Sequence, residues 1–134
     1  VMLVDDAKEN LASLQRELRN EPYDVIIAHN GAEALDQLGR HPCKVILSDV
    51  KMPKMDGFEL LDVVHKRFPT MIRVILSGHA DVRLILKLVN EKGIDRYLTK
   101  PWESEAVKWT IRQCIELFDL REEVREHRSR DETK

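Results

Sequence analysis

The sequence predicts an α/β fold, a five-stranded parallel sheet covered by helices on both faces. Short apolar runs alternate with stretches of helical period along the whole chain. The runs are apolar throughout rather than alternating with polar residues, as strands buried on both faces are. Proline, glycine or asparagine punctuates most of the junctions.

Each element can be justified in order. Val1–Val4 (V-M-L-V) reads as the first strand and runs into Asp5-Asp6. Leu11, Leu14 and Leu18 recur at helical spacing, and Asn20 and Pro22 stop that helix. Asp24–Ala28 (D-V-I-I-A) is the second strand. Asn30-Gly31 opens a short helix carrying Ala34, Leu35 and Leu38, which Gly39 is expected to close. Val45–Leu47 is the third strand, and Phe58, Leu61, Val64, His65 and Phe68 set the period of the next helix. Val74–Leu76 is the fourth strand, followed by a helix expected to turn Val82, Ile85, Leu86 and Val89 inward. Arg96–Thr99 is a fifth, less apolar strand. A long helix starts after Pro101, with Val107, Ile111, Cys114, Ile115 and Phe118 on the face toward the sheet.

The bulk numbers narrow the function classes. A chain of 134 residues fits one domain at the usual ~100–200 residues, and 43% hydrophobic residues suffice for one core. No apolar run is long enough for a membrane span or a signal peptide. The 22 Lys and Arg against 24 Asp and Glu give a net charge of −2, with no electrostatic footprint for direct nucleic-acid binding. Cys43 and Cys114 lie far apart and read as ordinary thiols, so a cytoplasmic setting is expected. His29, His41, His65, His79 and His127 are scattered and form no zinc pattern. Met52 and Met55 are expected to pack the loop around Pro53. No nucleotide-binding glycine motif is present. The chain begins inside an apolar run, and it is expected to be a fragment of a longer protein.

In open parallel sheets, function gathers beyond the carboxyl ends of the strands. Asp5 and Asp6 follow the first strand, Asp49 the third, Ser77 the fourth and Lys100 the fifth. Each has an ordinary explanation alone: helix cap, turn residue or solvated surface charge. Together, three acidic groups on one rim would repel one another, so a compensating cation is expected. Hard oxygen ligands that leave room for water suit Mg2+. A carboxylate beside Mg2+ can act as a nucleophile toward phosphorus. Lys100, the Ser77 hydroxyl and a nearby backbone N–H could then hold the phosphoryl oxygens.

Asp5-Asp6, S-D-V-K-M-P-K-M-D-G (Ser48–Gly57), L-S-G-H-A-D (Leu76–Asp81) and Y-L-T-K-P-W (Tyr97–Trp102) stand in the order and spacing of a known family. The set resembles the receiver domain of two-component response regulators, over nearly the whole chain. The resemblance implies a flavodoxin-like, doubly wound (βα)5 fold with an extended C-terminal helix, and a phosphoacceptor module rather than an enzyme. It implies Asp49 as phosphoacceptor, with Asp6 as a direct Mg2+ ligand, Asp5 as a ligand through water and the carbonyl of Lys51 completing the protein's share. Lys100 would pair with the phosphate and be joined to Pro101 by a cis peptide. Gly78 would lie beside the phosphate, and Ser77 and Tyr97 would form the switch pair. Lys51 and His79 occupy variable flanking positions that would tune phosphate lifetime. A histidine kinase or phosphotransfer protein would be the partner. Lys44 stands where the family often has an acidic residue, at a structural position.

Two other classes remain open at this point. A haloacid-dehalogenase-like phosphatase also uses an Asp nucleophile and Mg2+, but would want D-x-D after the first strand, where this chain has D-D-A. A non-phosphorylated pseudo-receiver would be expected to lack one of the site residues, and none is missing. The loops Y-L-T-K-P-W-E and L-S-G-H-A-D are similar to those of receivers attached to HD-GYP or kinase-type outputs.

The last helix carries a second message. Ala106, Trp109, Leu117, Leu120 and Val124 fall nearly opposite its sheet-facing side, and an aligned stripe with Trp is expected to be a dimer or partner surface. Residues 1–120 read as the receiver. Residues 121–134, with basic and acidic side chains intermixed, read as either a solvated tail or a helical stalk toward an output domain.

Overall fold

The computed structural model of the chain describes residues 1–78 and 82–132. Among these residues the elements run β1 (Met2–Val4), α1 (Lys8–Glu17), β2 (Ile26–Ala28), α2 (Gly31–Arg40), β3 (Val45–Asp49), α3 (Gly57–Arg67), β4 (Ile72–Ser77), α4 (Val82–Lys92), β5 (Arg96–Thr99) and α5 (Ser104–Glu132). The strands form one parallel sheet in the order β2-β1-β3-β4-β5. The winding direction reverses between β1 and β3, and the crevice beyond their carboxyl ends is the switch point of a doubly wound sheet.

The apolar runs are continuous because alternate residues feed two separate cores. Met2, Val4, Ile46 and Ile75 point to the face covered by α2 and α3, where they meet Ala34, Leu38, Leu60, Leu61 and Val64. Leu3, Val45, Leu47, Val74 and Leu76 point to the other face, against Leu11 and Leu14 of α1 and Val107, Ile111 and Cys114 of α5. Such Leu, Ile and Val side chains each contribute ~1.5–3 kcal/mol on burial. Met52 and Met55 pack under the first face, as expected of them.

The amino-terminal ends of the strands hold the second half of α5. Lys44, Thr70 and Asp95 stand just before β3, β4 and β5, and bond Asp119, Glu122 and Arg121 in turn. Asp95 also accepts the Arg73 backbone N–H, and the buried Arg73 side chain donates to the carbonyls of Leu61 and Gly93.

Several side chains sit differently from expectation. His65 is exposed, and Leu60 is fully buried instead, because the sheet-facing arc of α3 is centred on Leu60, Leu61 and Val64. Leu86 is exposed while Val89 is half-buried, because Val89 lies on the side of α4 that packs against the core beneath α2 and α3. The side chains of Val82 and Ile85 lie outside the described residues. Gly39 does not close α2; the helix continues to Arg40, and the His41 N–H caps the Gln37 carbonyl.

The junction that positions the site is the return from β3 into α3. Gly57 donates its N–H to the Val50 carbonyl at 2.8 Å. Asp56 caps the helix by accepting the Glu59 N–H at 2.9 Å. A Cβ on Gly57 would lie 2.2 Å from the Asp49 carbonyl oxygen. Gly57→Ala must therefore push α3 away from the end of β3. Urea denaturation should show a loss of about 2 kcal/mol, in the range of overpacked sites; an unchanged midpoint would show that the junction yields freely.

Candidate functional site

β1 and β3 are neighbours in register, with Val4 opposite Ser48, so the next residues on each strand, Asp5 and Asp49, come side by side. Asp5 is buried, Asp49 nearly so and Asp6 exposed. One carboxylate oxygen from each of the three lies within 4.8 Å of the others. Asp5 accepts the Ala7 N–H at 2.9 Å through Oδ1 and the Asn10 side-chain amide at 3.0 Å through Oδ2.

Lys100 follows β5 and reaches back across β4. Its Nζ lies 2.9 Å from Asp49 Oδ1 and 3.5 Å from Asp5 Oδ2. The Lys100 N–H donates to the Ser77 carbonyl at 2.8 Å, which anchors its backbone to β4. The bond to Pro101 is cis. Asp49 is opposite Leu76 in the sheet, so buried Ser77 stands one residue further along the same rim, ahead of exposed Gly78.

Burial pushes the Asp49 carboxyl above the ordinary carboxylate range; the Lys100 hydrogen bond opposes this and the charge of Asp5 adds to it. Burial also works against the Lys100 ammonium, but the hydrogen bond to Asp49 and the two carboxylate charges outweigh it and hold its pKa above the usual value. Both shifts reflect one crowded site. Three carboxylates and one ammonium leave two negative charges uncompensated, the charge of one divalent cation. An all-oxygen donor set with one exposed member fits Mg2+, which keeps several of its waters.

Of the residues expected to act together, Asp5, Asp6, Asp49 and Lys100 are gathered at one point, with Ser77 and Gly78 on the same rim. Lys51 lies in the adjoining cleft, lined also by Asp6, Val50, Met52, Pro53 and Asp56. Tyr97 is on the outer part of the edge strand, opposite Ile75 and partly exposed. His79 lies outside the described residues. On α5, Trp109, Leu120 and Val124 are exposed, whereas Leu117 is half-buried against the α1–α5 core, because that turn still faces the domain.

Two contacts were missed in the sequence reading. Asn10 bonds Asp5, and Trp102 donates its indole N–H to Glu17 at 2.7 Å, joining α1 to the loop after β5. A second cleft beside the site is lined by Asn10, Ser13, Glu17, Gly78, Lys100, Pro101 and Trp102. The spacing of Asn10, Ser13 and Glu17 on one side of α1 was the available signal.

An acidic pocket with a fixed ammonium at the switch point of a 2-1-3-4-5 sheet defines a class of aspartate-centred α/β modules. Residues 1–112 match the response regulator receiver domain family. The chain is 38% identical over 120 residues to the hydrogenase transcriptional regulatory protein HoxA of Cupriavidus necator, covering 90% of this chain and 25% of that protein. It is 33% identical over 116 residues to the transcriptional regulatory protein GlrR of Escherichia coli, covering 87% and 26%. Among solved structures, the signal receiver domain of an HD domain-containing protein from Pseudomonas fluorescens superposes with a TM-score of 0.82 at 35% identity, covering 88% of this chain and 94% of that one. The chain belongs to the response regulator receiver family, and its fold is the receiver domain of two-component systems. It spans about a quarter of the length of the curated relatives it matches.

Lys100 brings positive charge to two neighbouring carboxylates, so Lys100→Met should destabilise the protein in EDTA. Removing one partner of a buried pair costs ~3–5 kcal/mol. Here about 2 kcal/mol is expected, because the Lys100 side chain is 24% exposed. Thermal or urea unfolding with and without Mg2+ checks this, and the cation should recover part of the loss. An equal midpoint in EDTA would mean that the pair is neutral for stability.

Proposed function

We propose that this receiver is phosphorylated on Asp49 by a histidine kinase or phosphotransfer protein, and that Asp5, Asp6, Asp49 and the Lys51 carbonyl hold the Mg2+ that assists it. The observation that carries the reading is Asp49 itself: a nearly buried carboxylate at the switch point, hydrogen-bonded to Lys100 and backed by two further acids. One Asp49 oxygen forms the O–P bond as the donor's P–N bond breaks, and the electron pair stays on the imidazole nitrogen. Bound Mg2+ would neutralise charge on the phosphoryl oxygens. Lys100, already aimed at Asp49, would pair with a second oxygen, and Ser77 with the Gly78 N–H would take a third. Lys51 and His79, the latter outside the described residues, would flank the phosphate and tune its lifetime. The chain works as a signalling module rather than an enzyme acting on a separate substrate, and in the cytoplasm.

A new charge and new acceptor oxygens on Asp49 would draw Ser77 inward and favour a packing in which Tyr97 turns in from the sheet edge, altering the α4–β5–α5 surface. Mass spectrometry after acetyl phosphate and Mg2+ should show one phosphoryl adduct on Asp49, lost in Asp49→Asn, in Asp6→Ala and in EDTA. The Tyr97 NMR signals should shift with beryllofluoride. Turnover of acetyl phosphate with no adduct would support the dehalogenase-like phosphatase instead, and no reaction at all the pseudo-receiver.

Residues 1–120 serve as the receiver and 121–134, of which 133 and 134 lie outside the described residues, as a helical stalk toward an output domain, with Arg121 and Glu122 tying its first turn to the receiver. HoxA and GlrR support a transcriptional output; the HD domain-containing relative supports the HD-GYP reading.

The stripe on α5 suits a second copy of this chain. Leu117, Leu120, Val124 and His127 recur at alternating steps of three and four, a coiled-coil seam. Glu116 and Glu123 flank this seam on one side, Arg121 and Arg128 on the other. Two parallel helices would set Glu123 against the partner's Arg128, whereas antiparallel helices would set like charges together. Arg121 is already engaged by Asp95, so the Glu123–Arg128 pair is the one left to choose the orientation. Trp109 would lie at the margin of the pairing. Sedimentation of the beryllofluoride-treated protein should show dimers. Glu123→Arg should weaken them roughly five-fold, since two exposed pairs are worth ~1 kcal/mol, and Glu123→Arg/Arg128→Glu should restore them. A wild type that stays monomeric sinks the pairing.

A further inference from the structure

We propose that Asn10 is a positioning residue for the cation site: its side-chain amide fixes the Asp5 carboxylate and thereby sets how tightly the site takes a divalent cation. The inference rests on the reading of Asp5, Asp6 and Asp49 as that site.

Asn10 is the third residue of α1. Asparagine is a poor helix former, because its side chain competes for nearby backbone groups. At this position a Glu or Gln could reach back to the helix cap. The α1 cap, Ala7, offers no side-chain acceptor, so helix formation gives no reason for an amide here. The side chain instead leaves the helix and donates through Nδ2 to Asp5 Oδ2 at 3.0 Å. The Ala7 N–H holds the other oxygen, Oδ1, at 2.9 Å. With one donor on each oxygen, the Asp5 carboxylate cannot rotate without breaking a bond.

The consequence reaches Lys100. Its ammonium faces two carboxylates and lies 0.6 Å closer to Asp49 (2.9 Å) than to Asp5 (3.5 Å). Asp5 is 2% exposed, and a buried carboxylate short of donors would draw the ammonium to itself. Asn10 supplies the missing donor and leaves Lys100 directed at Asp49. The choice of a neutral amide also matters. A Lys or Arg at this position would satisfy Asp5 equally well, but would cancel the negative charge that attracts the cation. An amide orients the ligand without changing the charge of the site, as partners behind metal ligands commonly do.

Asn10 touches no reacting atom, so its removal should show in cation affinity. Trp102 lines the same cleft as Asn10 and Lys100 and provides an intrinsic fluorescence signal. Mg2+ titrations of the full chain, by fluorescence and by calorimetry, would compare wild type with Asn10→Leu, which keeps the shape but donates nothing, and Asn10→Gln, which keeps the donor. The Leu variant should bind Mg2+ about ten-fold or more weakly, the usual effect of losing such a partner, while the Gln variant regains most of the affinity. Phosphorylation of Asp49 by acetyl phosphate should need correspondingly more Mg2+ in the Leu variant and approach the wild-type rate at saturation, a split that general loss of structure would not produce. Wild-type Mg2+ affinity in Asn10→Leu overturns the proposal. So does a Gln variant as weak as the Leu variant, since shape rather than the donor would then be responsible. If wild type itself shows no Mg2+ binding in either measurement, the cation site falls, and the role of Asn10 with it.

Discussion

The ammonium of Lys100 faces two carboxylates at the end of a parallel sheet, and the rest of the site is arranged around that one cation. Without it, Asp5 and Asp49 would be two like charges side by side in a largely buried position, a placement that costs several kcal/mol. With it, the pocket still lacks enough positive charge for three acids. The site is folded yet electrostatically incomplete, and that shortage is the basis of the proposed binding of a cation and, through the cation, of a phosphoryl group. The burial that raises the Asp49 carboxyl pKa and the pairing that raises the Lys100 pKa are two expressions of the same arrangement.

Holding such charges in place requires a stiff frame. β1 and β3 are adjacent and in register, which fixes the distance between Asp5 and Asp49 through backbone hydrogen bonds rather than through side-chain packing. Gly57 lets α3 begin directly against the Asp49 carbonyl, so the third strand ends where the acid is needed. Lys100 is anchored through its own N–H to β4. The polar contacts of α1, from Asn10 to Asp5 and from Glu17 to Trp102, close the other side.

The opposite end of the sheet has a different task. Lys44, Thr70 and Asp95 all bond α5 beyond the point where its apolar face leaves the core. The helix therefore enters its extension with a defined direction relative to the sheet. Arg121 fastens the start of that extension to Asp95, in the loop just before β5.

The sequence by itself determined the order of elements, the parallel sheet and which polar side chains would share one rim. Short apolar runs without alternation, bounded by turn residues, fit strands covered on both sides, and the residue after each strand of a parallel sheet must fall on one rim. Local pattern failed where the outcome depended on how an element was rotated against its neighbours. His65 and Leu86 share the helical period of core residues but face solvent, and Leu117 belongs to an exposed stripe by spacing yet is half-buried by the neighbouring core. Only the tertiary structure decided which carboxylate Lys100 approaches more closely, and that Asn10 serves Asp5 rather than its own helix. For Lys100 the choice is a difference of tenths of an ångström between partners 95 and 51 residues away in the chain. Periodicity is silent about such distances, because they are set by strand register and by the packing of α1 and β5 against the sheet.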